Sequence, residues 1–563
     1  MDTQRLILLF VFSFSLLLLW DAWEREKRPK PPPVQAQPGA AVPAPAAPAQ
    51  SPAPAAPAAG AAPGPPAAAP AAVAPQGATD TKGETVQVRT DLLLAEIDTL
   101  GGTLKRVELI AHRDGTDPKK NYTLLGPEFA YEAQSGVAGE GGPNHRSLWR
   151  LQPGARSLEP GSKSLELRLS AEGRDGLAVD KVYRFSRDSY LVEVALELRN
   201  TGAAPLSPFG YFQLTHNGKS PAGGSSIAQS FGAQSFFGFS VYTEEKKFQK
   251  VALSDIDSGK PDHVRQAKDG WLAFVQHYFV AGWLPVAGAP RDYVMEKRQD
   301  GTYAGRLLMP APAIAPGGSA QLVAPLYVGP QEQRRLQAAA TGFELVVDYG
   351  WLTIIAWPLF AVLEFFHQLT GNWGVAIILL TVTIKLLFFP LSAASYKSMA
   401  KMKLITPRLT KIREMYEHDR NKMNQAMMEL YRTEKINPLG GCFPILVQIP
   451  VFIALYWVLL AAIELRHAPF MLWIQDLSAL DPYYVLPVLM TITMVIQTKL
   501  NPVPPDPVQA KVMLFMPYVF SVFFFFFPAG LVLYWLINNI LSILQQWQIQ
   551  RMFERDKPAH AKR

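Results

Sequence analysis

Cysteine is almost absent from this sequence, and so are the motifs that mark common enzymes. Cys442 is the only cysteine among 563 residues, which excludes an intrachain disulfide, so an exported domain would have to fold on its apolar core alone. No phosphate-binding glycine loop, nucleophile elbow or zinc-protease helix occurs, and the histidines and carboxylates have no metal-ligand spacing. We therefore expect no catalytic residue, no metal and no cofactor, and we expect a protein that is not an enzyme.

Charge is also scarce, at 18% of the residues against 49% hydrophobic residues. The mean hydropathy is nevertheless only +0.06, which is typical of apolar blocks joined to a water-soluble region. The net charge of +7 could indicate nucleic-acid binding. Because the basic residues lie beside apolar segments, they indicate membrane orientation instead, and we do not expect DNA as a partner.

The N-terminal region separates into an anchor and a spacer. Residues 1–23 are expected to form an uncleaved transmembrane anchor, because the apolar run Leu6–Trp20 is followed by no small-residue cleavage pattern. Residues 24–79 are expected to form an extended linker, because the stretch from Pro29 to about Ala78 is nearly all Pro and Ala and cannot bury a core. A partner-binding role for this tract is less favoured, because no basic residue flanks its P-x-x-P spacings beyond Lys30.

Residues 80–342 have the pattern of a large all-β sandwich. Short runs such as Thr85–Arg89 and Leu165–Leu169 alternate or cluster β-forming residues, and turn signals such as Gly101-Gly102 separate them. No recognisable binding site is assembled in this region. The simplest interpretation is an exported scaffold domain.

Apolar blocks then follow in series to the end of the chain. They are Leu345–Phe366, Trp373–Leu391, Phe443–Ile463, Tyr483–Thr498, Val512–Phe527 and Leu531–Trp547. The first contains Asp348, Glu364 and Pro358, so we expect residues 343–370 to form an amphipathic helix lying in the membrane interface. The other five predict a five-helix membrane bundle at residues 371–550. The predicted fold class is therefore a polytopic α-helical membrane protein with a large all-β exported domain.

The distribution of basic residues predicts the orientation of these helices. Ten Lys and Arg residues lie between Leu391 and Cys442, which places that segment in the cytoplasm. The loop from Glu464 to Pro482 contains Arg466 as its single Lys or Arg and is expected on the exported side. The basic tail at residues 551–563 returns to the cytoplasm, so both termini are expected there and the β-domain outside.

Lys385 is the informative residue of the predicted bundle. The five predicted crossings contain no Asp or Glu, and an unpaired ammonium inside a membrane is tolerable only beside water. We therefore expect a hydrated cavity open to the cytoplasm, although a lysine that merely extends to the headgroups is the simpler alternative. Polar residues on the same or other segments could line such a cavity or could only join helices, namely Thr381, Thr383, Gln448, Thr491, Thr493, Gln497, Asn538, Asn539, Ser542, Gln545 and Gln546.

The cytoplasmic segment at residues 392–440 has helical periodicity that breaks near His418 and Asp419, which predicts a helical hairpin. Methionines recur along it at Met399, Met402, Met415, Met423 and Met427. A methionine stripe is usually the seam between two helices. It also suits a surface that accepts many apolar sequences, and basic neighbours would attract anionic lipid or ribosomal RNA.

Four motifs give the chain a specific resemblance. Gly371-Asn-Trp-Gly, Ser398-Met-Ala-Lys-Met, Asn437-Pro-Leu-Gly-Gly-Cys-Phe-Pro and Phe527-Pro-Ala-Gly-Leu-Val-Leu-Tyr534 resemble the YidC-type membrane insertases. The resemblance implies a Gram-negative inner-membrane protein that receives nascent membrane proteins, alone or beside the Sec translocon and its accessory subunits. It places Lys385 at the basic position of the family's groove, with Thr381, Tyr534 and Trp535 among the groove and substrate-contact residues. The hairpin and tail match regions linked to recruitment and ribosome contact.

Two rival functions remain open on the sequence alone. A small-anion transporter could use the same lysine, but it predicts matching inverted halves that the sequence does not show, and a flux assay in liposomes would distinguish it. A periplasmic assembly scaffold would make the β-domain the working part. Deleting most of residues 80–330 tests that alternative, because surviving insertion would exclude it.

Overall fold

A computed structural model describes residues 83–115, 117–139, 141–220, 236–434, 443–501 and 507–555. The expected anchor at residues 1–23, the linker at residues 24–79 and the tail beyond residue 555 lie outside the described residues.

The β-domain consists of two antiparallel sheets of nine strands each in the described part of the chain. The strands are β1 Thr85–Arg89, β2 Leu93–Asp98, β3 Thr103–Arg113, β4 Asn121–Leu125, β5 Glu132–Ala138, β6 Arg150–Leu151, β7 Ser164–Glu172, β8 Leu177–Ser186, β9 Leu191–Asn200, β10 Phe209–His216, β11 Gly238–Thr243, β12 Lys247–Ala252, β13 Gln266–Ala267, β14 Trp271–Val275, β15 Phe279–Trp283, β16 Arg291–Lys297, β17 Tyr303–Pro310 and β18 Ser319–Pro330. The first sheet has the order β1-β2-β3-β5-β10-β17-β16-β13, with β4 paired to β3, and the second has the order β12-β11-β14-β15-β18-β9-β8-β7-β6. The predicted β-sandwich is confirmed.

Alternating side chains along the strands build the core between these sheets. On β7, Leu165, Leu167 and Leu169 are buried while the residues between them are more exposed, which is the period-2 pattern of a half-buried strand. Aromatic side chains from the two sheets pack against each other in this core. For example, the ring centroids of Phe212 and Trp283, which lie on opposite sheets, are 5.2 Å apart. Burial of this apolar surface stabilises the domain without any disulfide.

A buried lysine ties the two sheets together. Lys181 on β8 is fully buried, and its Nζ donates hydrogen bonds to the carbonyl oxygens of Gly101 (2.8 Å), Gly102 (3.2 Å) and Ser135 (2.7 Å) on the opposite sheet. The two glycines have φ values of 82° and 52°, a left-handed turn that aims both carbonyls inward and that other residues adopt poorly. Burial holds the pKa of Lys181 well below its usual range.

In the described part of the chain, two short α-helices lie in the β-domain and eight follow it. They are α1 Leu253–Asp257, α2 Gln333–Ala339, α3 Thr353–Thr370, α4 Trp373–Leu387, α5 Phe389–Met415, α6 Arg420–Thr433, α7 Phe443–Ala461, α8 Val485–Leu500, α9 Pro507–Phe524 and α10 Ala529–Arg555. By length and composition alone, α3 could cross a membrane, and α4 with α5 would do so as one bent pair. Shorter apolar helices cover Val447–Ala461, Val485–Leu500 and Ala510–Phe524.

Two of the predicted apolar blocks are interrupted in the structure. The expected block Leu345–Phe366 is interrupted by short 3-10 turns at Phe343–Val346 and Gly350–Leu352 before α3 begins. The expected continuous block Trp373–Leu391 breaks at Phe388, where α4 and α5 meet at 66°. Pro390 explains the second difference, because a proline fits the first turn of a new helix but would remove a hydrogen bond from a continuing one.

The predicted helical hairpin is present as α5 and α6. Helix α5 ends at Met415, and Asp419 caps the start of α6 by accepting a hydrogen bond from the backbone N–H of Lys422 at 3.1 Å. Ile405 and Leu409 are buried between the two helices. The break near residue 419 is therefore confirmed.

The β-domain packs against one end of α7. The His277 Nε2–H donates to the carbonyl oxygen of Leu460 at 3.0 Å. The guanidinium of Arg466, just past α7, lies 5.5 Å from the ring centroids of both Tyr122 and Phe279. These contacts join the sandwich to the helix that supplies part of the candidate site.

Candidate functional site

Lys385 lies in the last turn of α4 and faces the interior of the helical region. Only 6% of the residue is exposed, and its Nζ donates a 2.7 Å hydrogen bond to Ser542 Oγ on α10. No carboxylate pairs with this ammonium within the described ranges. The hydrated cavity around the ammonium stays a prediction; in the structure the lysine is buried and its ammonium is bonded to a hydroxyl.

Ser542 on α10 is the hydrogen-bond partner of Lys385. Its hydroxyl donates to the carbonyl oxygen of Asn538 at 2.7 Å, and the Tyr396 side chain of α5 lies beside it. One turn earlier on α10, Asn538 Oδ1 accepts from Gln448 Nε2 on α7 at 3.3 Å. Side chains of α4, α5, α7 and α10 thus form one polar network inside an otherwise apolar bundle. We call Lys385, Ser542, Tyr396, Asn538 and Gln448 the lysine network.

The predicted groove threonine lies beside this network and bonds instead within its own helix. Thr381 is one turn before Lys385 on the same face of α4, is 1% exposed, and its Oγ1 donates to its own helix at the Ile377 carbonyl, 2.6 Å away. Thr383, Thr491 and Thr493 also bond to carbonyls of their own helices. This local bonding is the usual behaviour of threonine inside a helix.

Other predicted polar residues join helices, as the simpler interpretation expected. The Asn539 side chain contacts Met490 Sδ at 3.2 Å, which links α10 to α8. Gln546 Nε2 donates to the Leu500 carbonyl and to Asn501 Oδ1, both at 3.2 Å. These two residues stabilise the packing of α8 against α10.

The predicted contact residues Tyr534 and Trp535 lie one turn before Asn538 on α10. Tyr534 is buried, whereas Trp535 is half-buried. Trp535 packs against Phe452 of α7 and Phe524 of α9, with centroid distances of 4.3 Å and 5.5 Å. An aromatic surface therefore adjoins the lysine network along α10.

The methionines of the hairpin separate into two groups. Met402 and Met427 pack against the buried pair Ile405 and Leu409, so they belong to the seam. Met415 is 71% exposed, and Met399 and Met423 are partly buried. Met415 is the member of the predicted stripe that is most available to a partner.

Tyr396 is the member of the network that sequence reasoning missed. It lies eleven residues after Lys385, beyond the break at Phe388, and its return to Ser542 depends on the 66° bend. The sequence predicted one continuous block, Trp373–Leu391, through Pro390, so the bend was not expected. No sequence pattern therefore paired Tyr396 with Lys385.

The fold and the site define a class: membrane proteins in which a large β-sandwich is joined to an apolar helical bundle with a buried cation. Residues 365–557 match the family described as 60Kd inner membrane protein, and residues 85–362 match the YidC periplasmic domain. The chain belongs to the YidC family.

Individual relatives agree with this assignment along the whole chain. The chain is 51% identical over 559 residues to the membrane protein insertase YidC of Methylobacillus flagellatus, covering 99% of this chain and 98% of that protein. It is also 51% identical over 562 residues to the membrane protein insertase YidC of Aromatoleum aromaticum, covering 99% of both. A solved structure of an active YidC insertase is 18% identical, with a TM-score of 0.38, and covers 83% of this chain and 92% of that one.

Proposed function

We propose that this protein inserts and helps to assemble membrane proteins of the bacterial inner membrane, the function for which its relatives are named. We further propose that the lysine network receives the polar or acidic exported flank of a client. The observation that supports this proposal is the buried ammonium of Lys385. It is bonded to a hydroxyl and has no carboxylate partner in the described part of the chain.

The physical reason is the cost of moving a charged side chain through hydrocarbon, which is at least about 3 kcal/mol at the membrane centre. A fixed cation and neighbouring polar groups offer the client's carboxylate a partner partway across. The lysine ammonium is a compact charge with three hydrogen-bond donors, and it lacks the planar donor arrangement of an arginine guanidinium. It can therefore form a charge-assisted hydrogen bond without the paired geometry that arginine would impose.

Thr381, Tyr534 and Trp535 are proposed to border the path of the client. The aromatic surface of Trp535, Phe452 and Phe524 would contact the client's apolar helix while its polar flank remains at Lys385. The helix would then pass into lipid, where its side chains are stable. This sequence of contacts requires no nucleotide.

The partners are proposed on the same basis. Nascent membrane proteins are the proposed clients. The Sec translocon with its accessory subunits is a proposed partner in their insertion. The basic hairpin and tail are placed in the cytoplasm for contact with ribosomes and anionic lipids. This orientation places both termini inside and the β-sandwich in the periplasm.

Replacement of Lys385 by Ala, Arg and Glu tests the charge. The client is a single-span protein with an acidic exported flank, and its insertion is followed in vesicles that contain each variant. We expect Lys385→Ala and Lys385→Glu to slow insertion about tenfold or more, since ~1.4 kcal/mol of barrier corresponds to tenfold in rate. Lys385→Arg should retain most of the activity.

Two controls make the result specific. Lys499→Ala removes a lysine from an exposed position near the end of α8 and should leave insertion unchanged. A client with a neutral flank should respond little to Lys385→Ala. Equal insertion of the acidic client by all three Lys385 variants would refute the charge role.

A further inference from the structure

The side-chain amide of Gln545 on α10 contains a buried acceptor without a donor. Its Oε1 is shielded from solvent and has no hydrogen-bond partner among the residues that the structure describes. Most buried polar side-chain atoms in proteins are paired, because leaving one unpaired costs its full desolvation penalty. The exception at Gln545 points to a donor that comes from another molecule.

Gln545 shares one face of α10 with the lysine network. It follows Ser542 by three residues and Asn538 by seven, so at about 100° per residue the three side chains leave the helix within about 60° of one another. Ser542 Oγ accepts from Lys385 Nζ at 2.7 Å, and Asn538 Oδ1 accepts from Gln448 Nε2 at 3.3 Å. Gln545 is therefore the next polar position on the face that holds the ammonium.

The neighbouring glutamine differs in its bonding. Gln546 also has a buried, unpaired Oε1, but its Nε2 donates to the Leu500 carbonyl and to Asn501 Oδ1, both at 3.2 Å. Gln546 therefore joins α10 to α8. The Gln545 side chain makes no such bond to another helix within the described ranges, so helix packing does not account for its polar group.

A client polypeptide supplies the donor that Gln545 lacks. Each residue of an exported flank other than proline carries a backbone N–H, and hydrocarbon contains no water to pair with it. Three residues of α10 rise about 4.5 Å, whereas one or two residues of extended chain span about 3.3 to 6.6 Å. A carboxylate at Lys385 and a backbone N–H at Gln545 can therefore come from neighbouring residues of one client.

We propose that Gln545 is a second client-contact residue, whose amide oxygen accepts a backbone N–H from the exported flank. This inference rests on the proposed function of Lys385 and adds the client group that is bound beside the carboxylate. Lys385 recognises the acidic side chain, whereas Gln545 accepts an N–H that acidic and neutral flanks share. A proline-rich flank lacks this donor.

Replacement of Gln545 by Met tests the contact, because methionine is also unbranched and its thioether is only a weak acceptor. Insertion into vesicles is followed for three single-span clients, with an acidic, a neutral polar or a proline-rich exported flank. We expect Gln545→Met to slow the acidic and neutral clients by the same factor, about 2- to 10-fold, the effect of one hydrogen bond. The proline-rich client should be inserted as fast as by the wild type, and Lys385→Ala should slow the acidic client alone.

Gln548→Met is the matched control, because Gln548 is an exposed glutamine three residues further along the same helix. It should leave all three insertion rates unchanged. The Tm of the detergent-solubilised chain separates client contact from packing. Gln545→Met exchanges an unpaired buried polar group for an apolar one, so Tm should stay the same or rise; a lower Tm would show a structural role and overturn the inference.

Normal insertion of the acidic and neutral clients by Gln545→Met, or an equal loss with the proline-rich client, would also overturn it. If Gln545→Met is normal while Lys385→Ala slows the acidic client, the contact at Gln545 alone fails. If the wild-type chain inserts none of the three clients, the proposed function fails and the contact fails with it.

Discussion

Two buried lysines show how the same side chain serves different purposes. Lys181 donates to three backbone carbonyls and lies 4.4 Å from the Trp149 ring centroid, so its charge is surrounded by fixed acceptors. Lys385 is bonded to one hydroxyl, that of Ser542 on α10. The three backbone acceptors of Lys181 indicate a structural role, whereas the single hydroxyl partner of Lys385 is consistent with the ligand-binding role proposed for it.

Glu464, just after α7, gives a prediction on pH. Burial, together with the charges of Glu332 and Glu364, raises its pKa from 4.5 to about 8. Because the folded state favours the protonated carboxyl, this stabilising contribution is full below pH 4.5 and is lost as the pH rises through 8. Glu464→Gln should therefore match the wild type in Tm near pH 4.5 and exceed it at pH 9 by at least about 2 °C, the shift that ~1 kcal/mol produces.

Thermal unfolding of the detergent-solubilised full chain at both pH values measures this difference. Glu245→Gln is the control, because the Glu245 side chain is 85% exposed. It should change Tm little at either pH. A Glu464→Gln effect of the same size at pH 4.5 and pH 9 would contradict the assignment of the effect to ionisation.

At the scale of elements, helix α3 combines an apolar composition with polar contacts, at and near its ends, to the β-domain, to α2 and to the loop between α7 and α8. Before it begins, Asp348 forms an ion pair with Lys250 of the β-domain. Within it, Glu364 pairs with Arg334 of α2 at 2.6 Å. After it ends, Asn372 Nδ2 donates to the Phe470 carbonyl at 2.9 Å, in the loop between α7 and α8.

These contacts support the predicted interfacial position of α3, although its length and composition would also permit a crossing. Ile354 and Leu369, near opposite ends of α3, are 87% and 71% exposed. Replaced singly by cysteine in a Cys442→Ser chain, both should react with an impermeant thiol reagent added from the periplasmic side. Leu404→Cys on α5 should react only from the cytoplasmic side, and labelling of the two α3 positions from opposite sides would show a crossing instead.

At the scale of the whole molecule, the β-sandwich is attached to α7, which also carries Gln448 of the lysine network. Burial holds the pKa of His277 below its usual range, so a neutral ring donates to Leu460. Arg466 adds contacts to two aromatic rings, each worth about 0.5–2 kcal/mol. The attachment joins the domain to the helix that carries Gln448 of the lysine network.

Arg466→Ala should loosen this attachment. We expect faster amide hydrogen exchange in β4 and in the turn between β14 and β15, because local opening of these segments loses two cation–aromatic contacts. Hydrogen exchange followed by mass spectrometry measures the effect. Lys246→Ala, which changes a 58% exposed side chain on the same domain, should leave those peptides unchanged, and unchanged exchange in Arg466→Ala would refute the docking role.

The sequence by itself predicted the two-part architecture, because alternation at period 2 and long apolar blocks are local properties of the chain. It also predicted the hairpin break near Asp419. It identified Lys385 as a candidate site residue, because a lysine within an apolar segment can be recognised from the sequence. It could not predict that α4 would end at Leu387 and turn by 66°, because Pro390 indicates a helix start but not a direction.

Only the tertiary structure decided which polar residues meet. Gln448, Asn538 and Ser542 are distant along the chain from Lys385, and Tyr396 comes near only through the bend. The docking of His277 and Arg466 likewise depends on surfaces brought together from separate segments. Periodicity determines which face of an element is buried, whereas the partner of a buried polar group is determined by packing between elements.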